Sequence, residues 1–395
     1  MRGAVDGRRV AVTGIGVVSP CGTGVDAFWS GLAGPVEPRR IRRIDDWDPA
    51  PWFARRDARH TDRFAQFAVA AADLALSDGG LDPAAVDPEA AGVQVGTGIG
   101  GVAAFEDAVL VRAARGDGRV SPYSVPMIMP NAGSAAVSLR LGWQGPVETI
   151  TTACAAGTHS VAAGGRLVAT GVCDVVLAGG SDASLVGTTV AGFTNAGAMS
   201  PTGLSRPFDR GRDGFAAAEG AALLLLEPLD AARARGARVY AVLAGAASTA
   251  DAFHVTAPAP AGRGALGCMR RALGDAGLAA ADVTHVNAHG TSTPRNDAAE
   301  AAAIAALLGD RRVPVTSIKG VTGHAFGAAG ALEAAAACLT VSTGTAPPTW
   351  GFSDPDESTC VVDVSPSSRR LPPGAVLSNS FGFGGHNGTL VFTAA

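Results

Sequence analysis

Short apolar runs alternate with alanine-rich stretches along most of the chain, and this pattern predicts strands and helices in turn. Arg9–Val18 reads as a strand closed by the Ser19-Pro20 turn. Phe64–Ser77 spaces its apolar residues with a helical period and stops at Asp78-Gly79-Gly80. Gly92–Val95 is a short buried strand, Val147–Thr152 a β-branched one, and Ala155–Thr170 a helix of small residues. Asp174–Ala178 and Ala222–Leu226 are strands, and Leu229–Arg235 is a helix ended by Gly236. The pattern then starts again with strand Arg238–Leu243, helix Gly264–Ala276, strand Val283–Asn287 and helix Asn296–Leu308. Strand Val315–Ile318, helix Gly327–Val341 and strands Ala375–Asn379 and Gly388–Phe392 complete it. Such alternation predicts an α/β fold with largely parallel sheets covered by helices. Two rounds hint at a duplication, although no residue-level repeat is visible.

Composition narrows the function classes. The 395 residues are 47 % hydrophobic and 17 % charged, enough to bury a large core and too apolar for a disordered chain. A net charge of −4 speaks against a general nucleic-acid-binding role. Met1–Arg9 lack the apolar region of a signal peptide, and runs such as Ala221–Leu226 are too short to span a bilayer. The cysteines at 21, 154, 173, 268, 338 and 360 form no CxxC and no zinc spacing. Free thiols, a cytoplasmic location and no metal are therefore expected. Lys319 is the only lysine among 31 basic residues.

Four segments carry candidate chemistry. Gly96-Thr97-Gly98-Ile99-Gly100-Gly101 follows a strand and contains GxGxxG, but neither Asp107 nor Asp117 lies on a following strand as a dinucleotide site requires. A glycine turn lining a pocket or interface is preferred. Cys154 lies between a β-branched strand and a helix, among small residues. Free N–H groups and the helix dipole there would favour thiolate. A lone cysteine is more often a buried hydrophobe, and context alone leaves both readings open. His289 and His324 each follow a strand and precede a helix, and Lys319 stands beside the latter. Lys319 has a plainer alternative as a salt-bridge partner of Glu333. Asn379–Asn387 places Phe381, Phe383, Gly384, Gly385 and His386 between two strands, where the backbone can approach a ligand or simply turn a hairpin.

Taken together, these segments resemble the β-ketoacyl-acyl-carrier-protein synthases of the thiolase superfamily, in their elongating Cys-His-His branch. The resemblance runs from Val10-Ala-Val-Thr-Gly-Ile-Gly16 through Phe208-Asp-Arg-Gly-Arg-Asp-Gly214 to the closing Phe-Gly-Phe-Gly-Gly loop. It implies a five-layered α/β/α/β/α sandwich of two similar halves, residues 1–235 with Cys154 and residues 236–395 with His289 and His324. It implies decarboxylative condensation of a Cys154-bound acyl chain with a malonyl group on acyl carrier protein. No cofactor is needed, the substrates riding on the carrier's phosphopantetheine. By the same resemblance His289 and His324 activate the malonyl thioester, and Lys319 sets the charge around His324. The N–H groups of Cys154 and Phe383 form the oxyanion hole, and the Phe383 side chain gates the acyl pocket. Thr291 and Thr293 line the malonyl side with Phe381, Gly384 and Gly385 near the substrate, and Ile99 lies in the acyl tunnel near a dimer interface. Arg56, Arg59, His60 and Arg63 form the carrier-protein patch.

This sequence departs from the family pattern in short segments after Leu32 and at Ala196–Ser205, in His386, and in Gly320 after Lys319. The departures incline the reading to a type II polyketide or specialised fatty-acid pathway, with housekeeping elongation as the alternative. The chain would act as a homodimer or beside a related chain-length-factor subunit. The non-enzymatic alternative, that this chain is itself such a factor, is opposed by the presence of Cys154. A degradative thiolase would need a cysteine in the last glycine loop, and an initiating Cys-His-Asn enzyme would need Asn at His324.

Overall fold

A computed structural model describes residues 8–395, so the leading segment read for a signal peptide lies outside it except for Arg8 and Arg9. Ten principal strands fall into two sets. The first comprises β1 (Val10–Ser19), β2 (Ala91–Gly96), β3 (Val147–Glu148), β4 (Val175–Asp182) and β5 (Gly220–Pro228). The second comprises β6 (Ala241–Ala250), β7 (Val283–Asn287), β8 (Pro314–Thr316), β9 (Ala375–Gly382) and β10 (His386–Thr393). The principal helices are α1 (Arg63–Gly79), α2 (Val102–Arg115), α3 (Ala132–Leu141), α4 (Ala156–Ala169), α5 (Gly187–Asn195), α6 (Arg263–Asp275), α7 (Pro294–Leu308) and α8 (Ala329–Thr343).

The two strand sets have the same order and the same senses. The first runs β3-β2-β4-β5-β1 and the second β8-β7-β9-β10-β6. In each, the first two pairings are parallel and the last two antiparallel. The duplication hinted at by the sequence is therefore a repeat of topology. Val10–Val12 of β1 pair with Ala241–Leu243 of β6, which joins both sets edge to edge in one sheet path.

Five layers follow from which faces are apolar. α1 and α3 cover the outer face of the first set, and α6 with α7 beside it covers the second. α4 and α8 fill the space between, α4 on β2 and β4, α8 on both β9 and β5. One apolar core surrounds this middle layer and one lies under each outer layer. The middle helices touch through glycines. A Cβ on Gly157 would come within 2.8 Å of the Ala331 nitrogen, and one on Gly330 within 2.9 Å of the Thr158 nitrogen. Each contact is the counterpart of the other, and no larger residue fits at either site.

Several boundaries differ from expectation. β3 ends at Glu148, because Ser134 Oγ takes over the Glu148 carbonyl (2.7 Å) and the chain turns inward toward Cys154. β6 starts at Ala241 rather than Arg238; its small residues form a strand because α6 packs on them. α2 was not foreseen, and neither α2 nor α5 has a single fully buried residue. Phe326–Thr343 is apolar and long enough to span a membrane, contrary to the reading that no run reaches that length, and 83 % of it is buried inside the molecule around α8.

Candidate active site

The loops at the ends of β2, β3, β7, β8 and β9 meet around a cavity of about 480 Å³. Cys154 enters it from a 3₁₀ turn, Ala153–Ala155, that leads into α4. Ala153 sits at φ +50°, a strained conformation for alanine that aims the next residue out of the helix line. His159, one turn into α4, takes a hydrogen bond from Thr152 Oγ1 at 2.8 Å and donates from Nε2 to the Asn387 carbonyl at 3.2 Å, fixing the approach to that turn.

His324 arrives from the second half. Its backbone N–H donates to the Ala216 carbonyl (2.8 Å) and its carbonyl accepts from Ala218 (2.9 Å), so the first half holds it in place. Its Nε2 lies 3.1 Å from Cys154 Sγ, and its Nδ1 has no partner among the described residues. His289 stands two residues beyond β7, its ring 5.4 Å from that of His324 and nearly perpendicular to it. Cys154, His289 and His324, distant in sequence, thus line one chamber.

Lys319 is buried and ion-paired with Glu333. Its ammonium also donates to the His289 carbonyl (2.6 Å) and to His289 Nδ1 (3.2 Å). The resemblance pointed to His324 as its target, but direct contact is with His289; Lys319 reaches His324 only through its field. The structural alternative, pairing with Glu333, is also present. Because Lys319 can only donate, His289 must carry its own proton on Nε2, facing the cavity. The tautomer of His324 has no such lock.

Burial, and then the Lys319 charge, hold both imidazoles well below the usual histidine range, so both are neutral. Cys154 departs from expectation. Burial pushes its thiol up, to about 12, against the opposing pull of Lys319 and the Phe383 N–H that points at the sulfur. Cys154 therefore rests as a thiol, and the turn geometry alone does not make the thiolate.

Sequence reasoning missed a second tier of groups. Glu300 Oε1 accepts from the His289 N–H (2.9 Å) and Oε2 from Gly290 (2.8 Å), clamping the histidine backbone. Asp297, one turn earlier on α7, accepts from Phe208 N (2.8 Å). Burial pushes Glu300 up to about 7 and Asp297 to about 6. Two acids three residues apart in an alanine-rich helix were the available signal. Asp182 accepts from Gly98 N (2.9 Å) and Gly327 N (3.2 Å). The glycine run does open a helix, α2, but carboxylates of the same chain already take N–H groups there, Asp182 that of Gly98 and Asp62 that of Ala104 (3.0 Å).

The remaining candidates are placed as follows. Ile99, Thr291, Thr293, Phe381, Phe383 and Gly385 line the cavity. The hydroxyls of Thr291 and Thr293 bond each other at 2.9 Å, and Phe381 meets His289 edge-on at 5.8 Å. Phe193, Phe215 and Phe326 add an aromatic wall beside Phe383. Gly384 does not line the cavity; its N–H donates to the Val255 carbonyl (2.7 Å). Gly320 lies so close to the Trp350 carbonyl that a side chain has no room. Of the basic patch, Arg56 and Arg59 are exposed, His60 stacks on Tyr123 at 3.8 Å, and Arg63 is engaged. Arg63 pairs with buried Glu219 (2.7 Å), bonds the Ile44 carbonyl and lies over Phe67, so it is removed from the docking set.

Comparison with known proteins agrees with this geometry. Residues 40–232 match the family model "Beta-ketoacyl synthase, N-terminal domain" and residues 240–353 match "Beta-ketoacyl synthase, C-terminal domain". A 3-oxoacyl-[acyl-carrier-protein] synthase 2 of Synechocystis sp. is 40 % identical, covering 98 % of each chain. The solved structure described as "The ishigamide ketosynthase/chain length factor" superposes with TM-score 0.91 at 34 % identity, over 98 % of this chain and 100 % of that one. A type II polyketide ketosynthase solved with its acyl-carrier protein and described as bound to the hexaketide, AntDE:AntF, gives 0.89 at 32 %, over 98 % and 100 %. The fold is thus thiolase-like, and the chain belongs to the β-ketoacyl synthase family of acyl-transferring condensing enzymes.

Proposed function

We propose that the chain joins a Cys154-bound acyl group to a malonyl group on acyl carrier protein, in a type II polyketide or specialised fatty-acid pathway. The observation that carries this is the 3.1 Å approach of Cys154 Sγ to His324 Nε2 with His289 beside it. In acyl transfer, Sγ attacks the carrier thioester. Its proton passes to His324 Nε2, and from there to the departing carrier thiol. The N–H groups of Cys154 and Phe383 face the oxyanion. In condensation, the Nε2–H groups of His289 and His324 donate to the malonyl thioester oxygen as carbon dioxide leaves, and the resulting enolate attacks the acyl carbon and expels Cys154. His324 must accept a proton in one step and donate in the other; its unconstrained Nδ1 permits both. No cofactor enters these steps.

The two sequence halves, taken as residues 1–235 and 236–395, each supply part of this site. Arg56 and Arg59 remain available to attract an acidic carrier protein, with the salt dependence that implies. A second copy or a chain-length-factor-like subunit is supported by Ile99, Phe105, Val109, Leu110, Val125 and Met129, apolar side chains left exposed among the described residues. We place the enzyme in the cytoplasm. Housekeeping fatty-acid elongation is the second reading, favoured by the name of the Synechocystis relative. Incubation with native acyl carrier protein followed by intact-mass analysis tests the proposal. An acyl adduct on Cys154 is expected, and an adduct on another residue would overturn it.

A further inference from the structure

The cavity has both an apolar and a polar lining. Its apolar lining includes Ile99, Phe193, Gly197 and Phe326. Its polar lining leads outward by burial: His289 and Thr291 are buried, Thr293 and Asn296 half-buried, and Arg295 lies at the surface. Arg295 is exposed and borders both this cavity and an adjoining recess otherwise lined only by alanines and prolines. No carboxylate pairs with it among the described residues. The neighbouring acids are already engaged: Asp251 by Asn387 and the Ala259 N–H, Asp297 by Phe208, and Glu300 by His289 and Gly290.

A thioester site, then hydroxyl and amide groups, then an unpaired cation is the order in which a phosphopantetheine arm presents its own chemistry. Its thioester is followed by amides and then by a phosphate. We propose that Arg295 is the subsite that binds the arm's phosphate and so selects phosphorylated carriers over neutral thioesters. This rests on the reading that substrates arrive on such an arm. An arginine fork suits phosphate geometry, and a site at the mouth is partly screened.

The test compares malonyl-phosphopantetheine with malonyl-pantetheine, identical but for the phosphate, in decarboxylation by the intact protein and by Arg295→Gln and Arg295→Lys. Expected is a kcat/KM preference for the phosphorylated thioester. It falls about tenfold in Arg295→Gln, is partly retained in Arg295→Lys and shrinks as salt rises. An unchanged preference in Arg295→Gln, or an equal loss on both thioesters, overturns the proposal. If the unaltered protein turns over neither thioester, the condensation reading fails and this one with it.

Discussion

The two halves share a strand order but not a chemistry, and the difference lies in the loops. The turns that open α4 and α8 are built alike. Each starts from a residue with positive φ, Ala153 (+50°) or Phe326 (+45°), and each continues Ala-Ala-Gly, at 155–157 and 328–330. Cys154 in one corresponds to Gly327 in the other. From Val147 to Ala156 the first half uses nine steps, whereas from Val315 to Ala329 the second uses 14. The added length holds the Lys319–Thr322 helical turn and His324. His289 likewise corresponds to Gly96, where a side chain would strike Ala156. One half contributes the Cys154 thiol from a tight turn; the other contributes the imidazoles from roomier ones.

The sharpest way to break this division is at the sulfur. Cys154→Ala should abolish elongation, by more than about 10⁴-fold, while Cys154→Gln should lose condensation yet still decarboxylate malonyl-carrier protein. Elongation retained by the alanine variant would place the nucleophile elsewhere. His324→Ala tests the other half and should slow decarboxylation about 10²–10³-fold. An unchanged rate would remove its donor role.

The likeness between the halves can be sharpened through packing. Gly157→Ala and Gly330→Ala should each cost about 1–3 kcal/mol in denaturant unfolding, by forcing apart the same helix pair. A large cost at one position and none at the other would show that the repeat stops short of this contact.

The smallest effect is in pH. His289 and His324 are buried neutral, so below about pH 6.5 the unfolded chain binds protons that the folded one does not. The contribution of these two histidines to stability should therefore fall as pH drops from 7 to 5, opposed by Glu300 and Asp297, whose raised carboxyls take up protons in the folded chain. It is read as the Tm difference from a His324→Phe variant across that range, while neither imidazole of the folded enzyme titrates near 6.5 by NMR. An imidazole titration near 6.5 would mean that one of the two rings is solvated.

Much of this was legible in the chain. β7 was read to the residue, and Cys154, His289, Lys319 and His324, each ambiguous alone, were grouped through the family resemblance of their ordered motifs. The duplication was legible only as two rounds of strand and helix alternation, because a pairing pattern leaves little mark on residues and only a three-residue Ala-Ala-Gly echo survives. α2 escaped because its apolar residues face outward rather than toward a core. The protonation of Cys154 escaped because a turn's dipole is local and visible in sequence, whereas burial is a property of the assembled layers. Arg63 read as docking charge because Glu219, its partner, lies 156 residues away.

The middle layer has a consequence for how the gene can be divided. α8 rests on a strand from each half, and the β1–β6 seam crosses between them. A polypeptide severed near Gly236 would yield two fragments, each with a greasy wall of alanine and glycine open to water. Such pieces would be expected to recover a fold by complementation, not alone.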